Sequence, residues 1–249
     1  MRERIYWNRN WEFTQEYTEE LLEQDYAGET VTVALPHTVV ETPFHYFDES
    51  MYQMVSGYRR VFVPEAEWFE KQVILTIEAA AHQAEVFLNG TKIKEHFCGY
   101  TAFSVDLAPH LKYGEENVLV IKVDSRESLN IPPFGKVIDY MTYGGIYREV
   151  YVDILEKTCI EDIFVKTRRI SAMTYELSAE ITCLQLPKDE IRVTLLSAEG
   201  THVCTLDRSW QKVSGITEWH PEHPVLYTLR AKVQRIMLTW LLNLENVIK

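Results

Sequence analysis

Two histidines three residues apart, His220 and His223, are the nearest this 249-residue sequence comes to a metal-ligand pair. Pro221 and Pro224 make His220-Pro-Glu-His223 a rigid turn rather than one face of a helix, so no metal is expected there. Three adjacent carboxylate pairs, Asp48-Glu49, Glu115-Glu116 and Asp189-Glu190, could in principle divide acid and base work. Neighbours on a strand project to opposite faces, so such pairs cannot flank one scissile bond and read as solvated loop charge. Gly144-Gly145 stands alone, without the spacing of a phosphate loop, and no G-x-S-x-G elbow is present. Residue chemistry alone therefore assigns no catalytic residue, no metal and no cofactor. One further carboxylate, Asp139, sits just before the Gly144-Gly145 turn, where an aspartate commonly hydrogen-bonds its own backbone.

The elements that must position these residues are strands. Alternation with period two runs through Val73–Ile77, Ala84–Leu88 and Asn117–Val123, and again through Ile146–Ile154, Ile160–Lys166, Tyr175–Cys183, Ile191–Leu196 and Val225–Val233. Asn89-Gly90 between two such runs predicts a type I′ hairpin; it also opens an Asn-Gly-Thr glycosylation sequon, but the turn reading is the stronger. The best helical stretch is short, around Tyr17–Gln24. Ile131-Pro-Pro-Phe-Gly135 cannot be a central strand, because two prolines remove two ladder donors. The segment from Ser125 to Gly144 is thus a loop of a length that commonly carries function.

Many strands with turns between them predict an all-β fold of sandwiches. The expected division is 1–155, a jelly roll with N-terminal additions, and 156–249, an immunoglobulin-like sandwich whose tail is atypical from about residue 234. Composition is that of a globular chain, 46% hydrophobic and 25% charged, and its aromatic content argues against disorder. A net charge of −12 argues against nucleic-acid or anionic-membrane partners. No leader-like apolar region opens the sequence, the run near Ile236–Leu242 is too short to span a bilayer, and the four cysteines form no C-x-x-C pair. A reducing, cytoplasmic location is expected.

Several segments then resemble one family. Gly57-Tyr-Arg-Arg-Val-Phe-Val63, Glu85-Val-Phe-Leu-Asn-Gly90 and Asn117-Val-Leu-Val-Ile-Lys-Val123 are similar to the N-terminal sugar-binding domain of glycoside hydrolase family two. Asp139-Tyr-Met-Thr-Tyr-Gly-Gly-Ile-Tyr-Arg-Glu-Val150 resembles the family's D-x-x-x-x-G-I-x-R-x-V segment. Trp219-His-Pro-Glu-His-Pro-Val-Leu-Tyr227 is similar to the W-x-P-x-x-P-x-L-Y signature of its immunoglobulin-like domain. The resemblance covers about residues 30 to 233. It implies the non-catalytic portion of a β-glycosidase of the β-galactosidase kind, whose two catalytic glutamates belong to a (β/α)₈ barrel for which no room remains after residue 233. It also implies that Asp139 reaches into the barrel's site and binds a hydroxyl of the carbohydrate, a β-linked glycoside. Alone, the chain is expected to be inactive.

The alternative function is a stand-alone carbohydrate-binding module, with Trp7, Trp11, Trp68, Trp210 and Trp219 as candidates for a stacking platform. The tail Arg235–Lys249 departs from the family pattern and is expected to be poorly integrated. Trp240, Leu241 and Leu242 would then be exposed and would favour a homo-oligomer.

Overall fold

A computed structural model describes residues 3–45, 48–132, 134, 142–185, 190–206, 209–233 and 236–242. The chain divides into two compact units, Met1–Glu156 and Lys157–Lys249. Both are all-β, each built from two antiparallel sheets around its own apolar core.

In the first unit the strands are β1 (Glu3–Tyr6), β2 (Trp11–Thr14), β3 (Val31–Val33), β4 (Val55–Phe62), β5 (Gln72–Ile77), β6 (Gln83–Leu88), β7 (Thr91–Phe97), β8 (Phe103–Asp106), β9 (Asn117–Asp124) and β10 (Val150–Leu155). They form a four-stranded sheet, β1-β10-β5-β8, and a six-stranded sheet, β3-β2-β4-β9-β6-β7. The N-terminal additions are themselves strands: β1 pairs with β10, and β2 with β4. Alternation appears as expected in β6, where Ala84, Val86 and Leu88 are buried. At its end Asn89 and Gly90 both take positive φ (51° and 79°), as a type I′ turn requires. The Asn89 amide donates to Asn117 Oδ1 at 2.9 Å, and its carbonyl accepts from Val118 N at 3.0 Å, which commits this side chain to the turn.

The central strand β9 departs from simple alternation. Asn117 through Ile121 are all buried. Leu119, Ile121 and Val123 join the core between the sheets, whereas Val118 and Val120 pack with Leu21 in a second cluster on the opposite face. The segment read as a short helix around Tyr17–Gln24 is a single 3₁₀ turn, Glu19–Leu22, that lays Leu21 on this face. Arg59 fixes the segment, donating to the carbonyls of Glu23 and Gln24 (3.2 and 3.0 Å) and to Glu12 at 2.6 Å.

The second unit has β11 (Cys159–Ser171), β12 (Thr174–Leu184), β13 (Ile191–Leu196), β14 (His202–Leu206), β15 (Gln211–Ser214), β16 (Tyr227–Val233) and β17 (Ile236–Leu242). Its sheets are β11-β12-β15 and β14-β13-β16-β17, closing over Ile160, Tyr175, Leu177, Val193, Leu195 and Leu229 among others. The tail expected to be poorly integrated is instead a paired strand through residue 242. β17 runs antiparallel to β16 in unbroken register, from Val233↔Ile236 to Tyr227↔Leu242. Its sequence, Ile-Met-Leu-Thr-Trp-Leu-Leu, is apolar at every position but Thr239 and gives no period-two signal, so its pairing with β16 is what marks it as a strand.

Candidate functional site at the base of the long loop

Asp139 lies outside the described residues, as do most of its neighbours in the long loop. Both stems of that loop are described, and the fold holds them together tightly.

The first stem leaves β9 at Ser125, which is buried. Its backbone N–H donates to Met54 O at 2.9 Å, and its hydroxyl donates to Ala81 O at 2.8 Å. The same hydroxyl accepts the Gly145 N–H of the second stem at 3.2 Å. Gly145 in turn accepts from Ala81 N at 3.0 Å, while Gly144 O accepts from Val39 N at 3.2 Å. Only glycines fit here. A Cβ on residue 144 would stand 2.5 Å from Ser125 Oγ, and one on residue 145 would stand 2.5 Å from the Tyr58 hydroxyl and 2.9 Å from His37 O. Gly145 also has φ of 101°, which side-chain-bearing residues rarely adopt. Ile146 follows as a buried residue whose carbonyl accepts from His37 N at 2.8 Å. The strand expected from Ile146 therefore begins regular pairing only at Val150, because residues 144–146 spend their backbone groups on the stem.

Further out, the stems are joined directly. Thr142 Oγ1 donates to the Glu127 carboxylate at 2.8 Å, and Glu127 N donates to Gln53 Oε1 at 2.6 Å. Tyr143 meets Tyr52 edge to face, with centroids 5.6 Å apart. The Tyr52 hydroxyl lies 2.7 Å from Thr42 Oγ1.

Electrostatics favour neutral rings beneath this base. Burial lowers the pKa of His37, and the Tyr58 hydroxyl lies 2.9 Å from its Nδ1. That hydroxyl accepts from Ile146 N at 3.4 Å, which leaves its own proton for His37. Burial likewise raises the Tyr58 phenol well above its ordinary value. His82 is buried, and desolvation lowers its pKa against the opposing pull of Glu127 and Asp124. At the edge, burial raises Asp124, but hydrogen bonds from Arg126 outweigh it and hold the carboxyl below its ordinary value. This arrangement positions a loop; among the described residues the carboxylate joining the stems is that of Glu127, and Thr142 engages it.

The other sequence candidates fall elsewhere. Trp7, Trp11 and Trp68 are buried in the first core and cannot form a stacking platform. Trp210 is exposed, with the Arg168 guanidinium 4.6 Å from its ring, and Trp219 is half-buried. His220 and His223 exchange backbone hydrogen bonds in a tight turn, and no group of metal-ligating side chains occurs among the described residues. Cys98, Cys159, Cys183 and Cys204 form no disulfide. Among the described residues, no helix is long and apolar enough to cross a membrane. Sequence reading marked Gly144-Gly145 but missed Ser125, His37 and Glu127. Their roles rest on side-chain bonds to residues distant in the chain, which leave no local pattern.

Residues 18–156 match the sugar-binding domain of glycosyl hydrolases family 2. A β-galactosidase of Thermoanaerobacter pseudethanolicus is 35% identical over 214 residues, covering 81% of this chain and 29% of the relative. Another β-galactosidase, from Thermoanaerobacterium thermosulfurigenes, is 40% identical over 171 residues, which is 68% of this chain and 24% of that protein. This chain thus spans under a third of the length of both relatives. Among solved structures, an uncultured Clostridium sp. β-glucuronidase superposes with a TM-score of 0.81 over 97% of this chain and 44% of its own, at 22% identity, a likeness of fold. From the matched segment, the chain belongs to glycosyl hydrolase family 2 and carries that family's sugar-binding domain.

Proposed function

We propose that this chain serves a retaining β-glycosidase of the β-galactosidase kind, scaffolding a catalytic barrel and lending it the long loop. The anchoring of both stems supports this reading most directly. Ser125 and Gly145 are locked to one another and to Ala81, so the residues between them are presented from a fixed base. The named β-galactosidases at 35% and 40% identity favour a galactoside over a glucuronide. Within the loop, Asp139 accepts a hydrogen bond from a sugar hydroxyl. A carboxylate binds an O–H about twice as strongly as a neutral acceptor, and it discriminates against sugars lacking that hydroxyl. Four cysteines without a disulfide fit a reducing, cytoplasmic setting.

The experiment joins this chain to the catalytic portion of the Thermoanaerobacter pseudethanolicus relative and compares wild type with Asp139→Asn on a nitrophenyl β-galactoside. Turnover should fall at least about tenfold with the thermal midpoint unchanged, the loss expected for one charge-assisted contact. The chain by itself should give no turnover above background. Unchanged turnover with lost stability would make Asp139 a turn residue only.

A further inference from the structure

Every open sheet presents unpaired backbone groups at its two ends, and natural sequences protect such edges with charge, proline or brevity. Among the described residues eight strands end a sheet: β1, β8, β11, β15, β14, β17, β3 and β7. Five of them are short, with β1, β8 and β15 four residues long, β3 three and β14 five. Of the three longer ones, β7 and β11 are charged: β7 carries Lys92, Lys94 and Glu95, and β11 carries Glu161, Asp162, Lys166, Arg168 and Arg169. β17 has neither protection. It is seven residues long, pairs with β16 at every position, and contains no charged residue and no proline.

We propose that β17 is a self-association edge, and that two copies of this chain pair their 236–242 strands antiparallel about a twofold axis at Thr239. A second copy is the partner that the strand fits. Self-pairing places no charge against a like charge, and a twofold axis closes the assembly instead of propagating it. Only the register centred on Thr239 pairs all seven positions: Ile236 with Leu242, Met237 with Leu241, Leu238 with Trp240, and Thr239 with itself. The product is one continuous eight-stranded sheet, β14-β13-β16-β17 followed by its symmetry copy. The net charge of −12 opposes this approach at long range, so association should strengthen as salt screens it.

Sedimentation velocity on the full chain provides the test. In the paired strands position 239 faces Arg230 within each copy and its own equivalent across the axis. Thr239→Glu should therefore keep the fold while setting two carboxylates opposite each other, weakening the dimer at least about tenfold. Thr239→Lys should also weaken the dimer, although its ammonium meets Arg230 across the strand pair, so circular dichroism must first show it folded. An equimolar mixture of the two folded variants should recover the dimer. Wild type should associate more tightly at ~500 mM than at ~50 mM salt. A measurement that needs no variant is amide exchange, in which protection within 236–242 should rise with protein concentration. Wild type monomeric at ~100 µM in both salts would overturn the proposal. So would dimers unaffected by either variant, a mixture of folded variants that stays monomeric, or exchange independent of concentration.

Discussion

The two units treat the outer face of a sheet in opposite ways. In the first, the outer face of the six-stranded sheet carries a second apolar cluster: Leu21 packs on Val118 and Val120, backed by Tyr17, Leu22, Tyr26 and Phe87. In the second, the outer face of β11 and β12 is laced with ion pairs, Lys166–Glu180 and Arg168–Glu176. An antiparallel sheet with one solvated face alternates in sequence; one covered on both faces does not. The difference explains why β12 was easily read, with Tyr175, Leu177 and Ala179 buried on one side, while β9 is buried for five consecutive residues. It also places a strand covered on both faces directly before the long loop, since β9 ends at Asp124 and Ser125 follows as the first stem residue.

Removing the apolar cover should have the largest effect. Leu21 is fully buried over Val118 and Val120, so Leu21→Ala leaves a cavity and should cost about 3 kcal/mol of stability. Chemical denaturation would measure it. A loss below about 1 kcal/mol would mean that this face needs no cover, erasing the contrast with the second unit.

Next comes the loop base. Gly145→Ala places a methyl against the Tyr58 hydroxyl and His37 O at a φ of 101°, and should cost about 2–3 kcal/mol. Because the strain sits at the stems, faster amide exchange around residues 81 and 125 should accompany the loss. Global destabilisation without that local signature would show that the stems do not form a distinct anchored unit.

The loop base should also respond to pH. His37 and His82 are both lowered by burial, so the unfolded chain takes up these protons first, near pH 6.5. Their contribution is complete above about pH 6.5 and declines as the pH falls below it, since folding then excludes protons that the unfolded chain would bind. Asp124 behaves in the usual carboxylate sense, with its contribution lost at still lower pH as the folded group protonates. The thermal midpoint of the first unit should drop by a few degrees between pH 7 and about 5.5. His37→Gln should flatten part of that slope, and an unaltered slope would remove His37 from the account.

How much of this was legible follows from where each constraint resides. The alternation of β6 and the Asn89-Gly90 turn are local, and both could be read directly. The cover on Val118 and Val120 comes from a segment about a hundred residues earlier in the chain, held by Arg59, so no window of sequence contains it. The loop between Ser125 and Gly144 was legible from Pro132-Pro133, yet its anchoring depends on a hydroxyl bonded to Ala81, 44 residues away in sequence. β17 is hard to read for a different reason: an apolar run broken only by Thr239 fits a short helix, an irregular strand or an unpaired tail until a partner is known. Asp139 was singled out through family resemblance, since an aspartate near a glycine turn is by itself unremarkable chemistry.

The smallest expected effect tests the solvated side of the contrast. Arg168 Nη1 lies 3.3 Å from Glu176 Oε2, with side chains 60% and 30% exposed. Such a pair gains little in water and loses rotamer freedom, so a double-mutant cycle of Arg168→Ala and Glu176→Ala should return a coupling of about 0.2–1 kcal/mol, falling with salt. Arg168 also lies over the exposed Trp210 ring at 4.6 Å, a contact that does not involve Glu176. Arg168→Ala should therefore cost slightly more than Glu176→Ala, by about 0.5 kcal/mol for an exposed cation–π contact, and Trp210→Ala should abolish that excess. If the coupling exceeded about 2 kcal/mol, the outer face of β11 and β12 would be acting as a desolvated surface. The two units would then differ in composition but not in how they cover a sheet.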